Sequence, residues 1–231
     1  MITASLATIP GRRETLKRVV SSLLPQVDRL NVYLNGYGEV PDFLSGPKIR
    51  VARSEEHRDR GDAGKFFWEN DYTDEGYRLT CDDDIVYPPD YAKCMVSAVE
   101  RYDRRVVVTL HGAVLKFPVR NYYADRVVHH CRTNVLRDAP VHVGGTGVMA
   151  WHSSAIRLST KDFEKPNMAD IWMALAAKRK GVPIIVLAHA REYLEILLFE
   201  DTIYGKGGTE MTEVISAEEP WEPLELESVK S

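Results

Sequence analysis

The feature that most constrains the fold is the alternation of short β-prone runs with amphipathic segments over the first 110 residues. Strands that alternate with helices favour a mainly parallel sheet with helices on both faces. The predicted strands are residues 2–9, 29–34, 49–53, 77–81 and 105–110. We therefore predict an α/β fold in which ligands bind at the carboxyl ends of the strands.

Two helices are predicted between these strands. The first follows Pro10-Gly11, and its apolar residues repeat with the period of one helix face: Leu16, Val19, Val20, Leu23 and Leu24. The second begins after Pro88-Pro89, where proline suits the first turn of a helix. Both helices connect consecutive strands, which supports the parallel sheet.

The second half of the chain carries weaker patterns. Residues 111–140 show no clear period, and residues 141–151 resemble a strand interrupted by glycines. A helix is predicted from about 169 to 180, and a last strand over 183–188. We expect a single domain over residues 1–200, followed by a mobile loop and acidic tail over 201–231.

Composition restricts the class of partner. The formal net charge is −4 and the basic residues are scattered, which argues against nucleic-acid binding. Three cysteines without paired spacing indicate reduced thiols, and we expect a cytoplasmic protein. No transmembrane segment is predicted, because no run reaches the length of apolar residues that a span requires. Peripheral membrane association is left open.

Three consecutive carboxylates follow the predicted strand 77–81. Adjacent ionised carboxylates repel each other, so Asp82, Asp83 and Asp84 need a cation, hydrogen-bond donors or open solvent. In an extended chain Asp82 and Asp84 point the same way, and such a pair can hold a divalent cation through oxygen ligands. The structural alternative is a solvated turn and helix N-cap before Pro88.

A second candidate is the segment 61–65 (GDAGK). Its two glycines let the backbone approach a ligand closely, and Lys65 supplies positive charge. Its spacing differs from that of a phosphate-binding loop. A plain turn is the alternative interpretation.

Four motifs occur in an order that resembles one enzyme family. They are residues 7–12 (ATIPGR) before an amphipathic helix, residues 82–84 (DDD) after a strand, residues 144–147 (GGTG), and Asp170 at a helix start. Together they resemble the nucleotide-sugar-dependent glycosyltransferases of the GT-A fold, close to the family 2 type of bacterial polysaccharide biosynthesis. The chain departs from the family at residues 34–36 (LNG), where many members carry nucleotide-binding acids, and at Ala169, where a Glu is usual.

The resemblance implies a GT-A-like domain with inverting, metal-dependent glycosyltransferase activity. The donor would be a nucleoside-diphosphate sugar, with a UDP-sugar favoured, and the acceptor a glycan hydroxyl. Mn²⁺ or Mg²⁺ would be bound by Asp82 and Asp84, with His189 as a third ligand. A lone histidine after a strand is otherwise commonly structural.

The resemblance also implies roles for further residues. Nucleotide-sugar binding would involve Thr8, Pro10, Arg12, Asn35, Gly64, Lys65, Asp82 and Asp83. Acceptor binding would involve His111, Gly145 and Trp172. Asp170 would be the general base, although a carboxylate in a first helical turn also compensates the helix dipole.

Two other functions are compatible with the sequence. A sugar-1-phosphate nucleotidyltransferase shares the parallel sheet and acidic metal site, but residues 7–13 match poorly the glycine-rich, basic signature of that class. A noncatalytic glycan-binding or partner module of the same fold is the other. Metal-dependent turnover of a nucleotide sugar would separate these interpretations.

Overall fold

The computed structural model describes residues 1–197 and 208–221. The strands of this part are β1 (Ile2–Thr8), β2 (Arg29–Leu34), β3 (Ile49–Arg53), β4 (Tyr77–Cys81), β5 (Ile85–Val86), β6 (Val107–Thr109), β7 (Gly112–Leu115), β8 (Arg126–His129), β9 (Ala139–Val141), β10 (Val143–Gly144), β11 (Val148–His152), β12 (Ile184–Val186) and β13 (Glu195–Ile196). The α-helices are α1 (Arg13–Leu23), α2 (Ser54–His57), α3 (Tyr91–Arg101), α4 (Ala169–Arg179) and α5 (Gly208–Ala217). Short 3₁₀ helices cover Pro10–Arg12, Leu24–Gln26, Gly61–Asn70 and Thr160–Asp162. Within these described ranges no helix has the length and hydropathy needed to cross a membrane.

An eight-stranded sheet forms the centre of the molecule, in the order β3-β2-β1-β4-β11-β6-β12-β9. The pairs β3–β2, β2–β1, β1–β4 and β6–β12 are parallel. Strand β11 runs antiparallel to both neighbours, and β9 runs antiparallel to β12. The predicted α/β domain with a mainly parallel sheet is confirmed.

Helices cover both faces of this sheet. Alternate residues of a strand point to opposite sides, so each face carries apolar side chains that a helix can cover. In β11, Val148 and Ala150 pack in the apolar cluster that contains the buried faces of α1 and α3. Met149 and Trp151 pack in the cluster that contains α4. The two faces of the sheet at β11 thus pack against different apolar cores.

The prediction of an irregular segment over 111–140 was wrong in part. It contains β7, β8 and the start of β9, and β7 pairs with both β8 and β10 in a small antiparallel sheet. Neighbouring Val127 and Val128 in β8 are both exposed, so this strand lacks the apolar alternation by which sequence signals a half-buried strand.

The predicted mobile loop and acidic tail lie partly outside the described residues, at 201–207 and 222–231. Between these two stretches the chain forms α5, whose Ile215 is fully buried in the cluster around α4. The Ser216 hydroxyl donates a hydrogen bond to the Val119 carbonyl, and the Thr212 hydroxyl accepts one from the Tyr122 amide. Helix α5 therefore packs against the segment that precedes β8.

Candidate active site

A cavity of about 650 Å³ lies at the carboxyl ends of β1 and β4. This is the edge at which open α/β sheets bind ligands. The charged side chains that line it among the described residues are Asp62, Asp82, Asp83, Asp84, Asp170, Arg12, Lys65 and Arg132. Carboxylates outnumber cations, so the cavity suits a metal ion or a ligand that brings one.

Arg12 balances two carboxylates of the 82–84 motif. Its Nη1 lies 2.6 Å from Asp83 Oδ1 and 3.1 Å from Asp84 Oδ2. Burial raises the pKa of Asp83, and the Arg12 charge opposes that rise. Burial likewise disfavours the Arg12 guanidinium, but Asp83 and Asp84 outweigh it and raise the Arg12 pKa. Arg12 lines the cavity, and these contacts tie it to the 82–84 motif there.

Lys65 is the cation beside Asp82. The buried Lys65 side chain brings Nζ to 2.5 Å from Asp82 Oδ1. Burial acts against the ammonium charge, but the fields of Asp82 and Asp62 prevail and raise the Lys65 pKa. Lys65 is therefore charged at neutral pH inside the wall of the cavity.

Gly147 leaves the space that the Asp82 carboxylate occupies. A Cβ built at position 147 would lie 1.9 Å from Asp82 Oδ2, a distance that no real contact allows. The hydroxyl of buried Tyr87 joins the two segments, since it accepts from the Asp82 amide at 2.8 Å and donates to the Gly147 carbonyl at 2.5 Å. The turn after β4 and the glycine before β11 thus form one unit.

Asp82 and Asp84 both line the cavity and are reachable from solvent, with side chains 41% and 27% exposed. Burial and the neighbouring Asp82 charge raise the pKa of Asp84 to about 6. A divalent cation would relieve this repulsion, and carboxylate oxygens are the ligands that Mn²⁺ and Mg²⁺ prefer. The residues present fit such an ion.

Asp170 lies in the first turn of α4, and its Oδ1 is fixed by two donors. The Thr146 amide lies 2.8 Å away and the Thr146 hydroxyl 2.7 Å away. Burial raises the pKa of Asp170, and the Thr146 hydrogen bonds oppose that rise. The carboxylate lines the main cavity and an adjoining one of about 150 Å³. It can therefore contact molecules in both.

Asp62 belongs to the same site but received no role from the sequence. Its Oδ2 accepts the Ala169 amide at 3.0 Å, and its Oδ1 is buried without a hydrogen-bond partner in the described structure. Burial raises its pKa to about 6. The available signal was that Met168 precedes α4 and cannot cap it, so the free amide at the helix start required an acceptor from elsewhere.

Other predicted site residues do reach the cavity. They are Thr8, Asn35, His111 and Gly145. The Asn35 side chain is occupied by the 60–61 loop: it donates to the Gly61 carbonyl and accepts from the Arg60 amide. It therefore shapes the cavity wall.

The structure places four predicted residues elsewhere. Pro10 and Gly64 do not line the cavity, and Gly64 instead makes room for Tyr33, which would lie 2.5 Å from an added Cβ. Trp172 is buried in the core, where its Nε1 donates to a main-chain carbonyl, so it does not present a stacking face to either cavity. His189 is absent from the lining as well, and its Nδ1 lies 2.7 Å from the Leu187 carbonyl oxygen.

Comparisons with known proteins find solved structures that are similar to this chain. No family model matches the chain, and no curated protein is significantly similar to it. Among solved structures, the chain is similar to the inositol-1-phosphate CTP transferase from T. maritima, with 13% identity and a TM-score of 0.47 over 94% of this chain and 96% of that one. At this TM-score the likeness assigns no activity to this chain.

Proposed function

We propose that the chain is a metal-assisted transferase that moves a sugar from a nucleoside-diphosphate sugar to an acceptor hydroxyl. The observation that supports this proposal most is the convergence of Asp82, Asp84 and Asp170 on one cavity at the carboxyl edge of the sheet. These carboxylates come from two separate elements, the turn after β4 and the start of α4. If residues 82–84 were only a solvated acidic turn, there would be no reason for the Asp170 carboxylate to lie in the same cavity.

The motif carboxylates and Lys65 would bind the diphosphate end of the donor. Asp82 and Asp84 would hold Mn²⁺ or Mg²⁺, which when bound would supply Lewis acidity toward the departing diphosphate. Lys65 holds Asp82 in place and adds a positive charge to the cavity wall. The positive charge of Arg12 offsets the repulsion between the Asp83 and Asp84 carboxylates.

Asp170 would be the general base. It lies where the two cavities adjoin, so the donor would occupy the larger cavity and the acceptor hydroxyl would enter from the smaller one. The acceptor oxygen would give its proton to the carboxylate and bond to the anomeric carbon, while the bond from that carbon to the diphosphate breaks. A pKa raised by burial brings a carboxylate closer to the operating pH, where a base works best.

Nucleotidyl transfer is the second candidate function, and the structure of residues 7–12 helps to decide between the two. Residues 7–12 end β1 and form a 3₁₀ turn whose Arg12 contacts carboxylates. That arrangement presents no glycine-rich, basic loop to a triphosphate, which supports sugar transfer over nucleotidyl transfer. The glycan acceptor and the preference for UDP stay predictions from the resemblance.

A binding experiment tests the metal and nucleotide parts of the proposal. Thermal unfolding would be followed with UDP, GDP, CDP and CTP, each with and without Mn²⁺. We expect one diphosphate to stabilise the protein when the metal is present, by about 2.7 kcal/mol at a concentration 100 times its Kd. Asp84→Ala should abolish this stabilisation, whereas Asp42→Ala, a change of an exposed acid, should keep it. Equal stabilisation without metal, or in the Asp84 variant, would contradict the metal assignment.

A further inference from the structure

A group of metal-ligating side chains lies in the main cavity apart from the 82–84 motif. Strands β7 and β8 are antiparallel, and Gly112 is opposite His129. His111 and His130 each lie one residue beyond this pair, just outside the end of the ladder. Their ring centroids lie 4.8 Å apart with nearly perpendicular planes. Strand pairing thus brings two imidazoles together.

Cys131 adds a thiol to this pair. One ligand atom each from His111, His130 and Cys131 lies within 4.8 Å of the other two. The Cys131 Sγ is 3.9 Å from His130 Nδ1, and the cysteine is 7% exposed. All three residues line the 650 Å³ cavity. A metal bound among them would be reachable from the same space as the proposed donor.

We propose that His111, His130 and Cys131 bind a borderline transition-metal ion, Zn²⁺ above all, at a site separate from Asp82 and Asp84. Two imidazoles and a thiolate match the ligands of Zn²⁺, whereas Mg²⁺ and Mn²⁺ prefer oxygen ligands. Three protein ligands leave a fourth tetrahedral position, which here would face the cavity and be filled by water or by a bound ligand.

Metal binding requires a local adjustment. Zinc–ligand bonds of 2.0–2.3 Å place tetrahedral ligand atoms roughly 3.5 Å apart, so the group must contract by about 1 Å. The His130 Nδ1 now accepts the Arg132 amide at 3.0 Å, and His111 Nδ1 accepts the Cys131 amide at 3.5 Å. If these nitrogens bind the metal, they no longer accept hydrogen bonds from the two amides, and a metal–nitrogen bond replaces each hydrogen bond. Residues 131–133 form a turn outside the sheet, so the exchange leaves the β7–β8 ladder intact.

Cobalt substitution tests this site without any assay of activity. The full chain would be freed of metal with a chelator and titrated with Co²⁺. We expect visible absorption bands of tetrahedral Co²⁺ together with a near-ultraviolet sulfur-to-cobalt charge-transfer band, at one equivalent. Zn²⁺ should remove both bands, and excess Mg²⁺ should not. No sulfur-to-cobalt band in the wild-type protein would overturn the proposal.

Three variants and one matched control locate the metal. Cys131→Ser should lose the charge-transfer band, and His130→Ala should weaken Co²⁺ binding by about 100-fold or more, since loss even of an outer-shell partner costs 10- to 100-fold. Cys94→Ser changes an exposed cysteine of α3 and should keep both the band and the affinity. Asp84→Ala should also keep them, so the test is independent of the proposed sugar transfer. A band that persists in Cys131→Ser, undiminished affinity in His130→Ala, or loss of the band in Asp84→Ala would overturn the assignment.

Discussion

At the scale of single residues, the position of the Asp82 carboxylate depends on the absence of a Cβ atom at Gly147. Any side chain at Gly147 would place Cβ within 1.9 Å of Asp82 Oδ2, so Gly147→Ala must displace the carboxylate. We expect nucleotide binding in the presence of Mn²⁺ to weaken by about tenfold or more, equivalent to 1.4 kcal/mol. Isothermal titration measures this. Gly38→Ala is the control, because an added Cβ there meets open space; equal affinity in both variants would refute the role of Asp82.

A second test at the scale of residues asks whether Asp170 acts as a general base or only stabilises the start of α4. In Asp170→Asn the side-chain oxygen can still accept from Thr146, so the fold and donor binding should survive. Turnover should fall by about 10²- to 10⁴-fold, the usual contribution of general acid–base catalysis. The measurement is the rate of sugar transfer, or of slow donor hydrolysis, beside the exposed-acid variant Asp42→Asn. Near-wild-type turnover in Asp170→Asn would remove Asp170 from the mechanism.

At the scale of elements, α5 belongs to the folded domain through one apolar anchor. Ile215 is fully buried against the cluster around α4, so Ile215→Ala should lower the free energy of unfolding by about 2–5 kcal/mol. Urea denaturation gives this value. Glu213→Ala changes an exposed residue of the same helix and should stay within about 0.5 kcal/mol of wild type. Similar losses in both variants would mean that the buried methyl groups are not what fixes α5.

The strands and helices that could be predicted are those with strong hydrophobic patterns in their own sequence. Strands β2, β3 and β4 match the predicted residues because each is a short apolar run bounded by turns. Helix α1 was predictable from its 3.6-residue period. The β7–β8 pairing was not, since it depends on partners distant in sequence and on exposed valines that carry no periodic signal.

The site was predictable to a similar extent. The placement of Asp82, Asp84 and Asp170 at the sheet edge follows from the order of strands and helices. The role of Asp62 and the pairing of Arg12 with Asp83 could not be predicted, because they arise when loops far apart in sequence meet.

At the scale of the whole molecule, we expect the half-buried Glu69 to make the free energy of unfolding depend on pH. Burial raises its pKa to about 8, opposed by the charge of Arg78. The folded protein thus binds a proton that the unfolded chain has released above its ordinary pKa of about 4.3. Stability should therefore fall as pH rises from about 4.5 to about 8, with a slope of up to about 1.4 kcal/mol per pH unit, and no further loss from this group above that range.

The variant Glu69→Gln has no such proton to lose. Its advantage over wild type should grow across that pH range and then become constant, as measured by urea denaturation at several pH values. Glu75→Gln, an exposed glutamate nearby in the chain, is the matched control and should follow wild type. A difference between Glu69→Gln and wild type that does not vary with pH would contradict the raised pKa of Glu69 as the cause.

The products of turnover test most directly whether sugar transfer takes place in this cavity. Purified protein would be incubated with Mn²⁺ and a panel of nucleoside-diphosphate sugars, and in parallel with nucleoside triphosphates and sugar 1-phosphates, with Asp84→Ala as the inactive control. Chromatography would identify the released species. We expect metal-dependent release of a nucleoside diphosphate from one nucleotide sugar, and loss of this release in Asp84→Ala. Release of pyrophosphate from a triphosphate, with no nucleoside diphosphate from any sugar donor, would contradict it and establish nucleotidyl transfer instead.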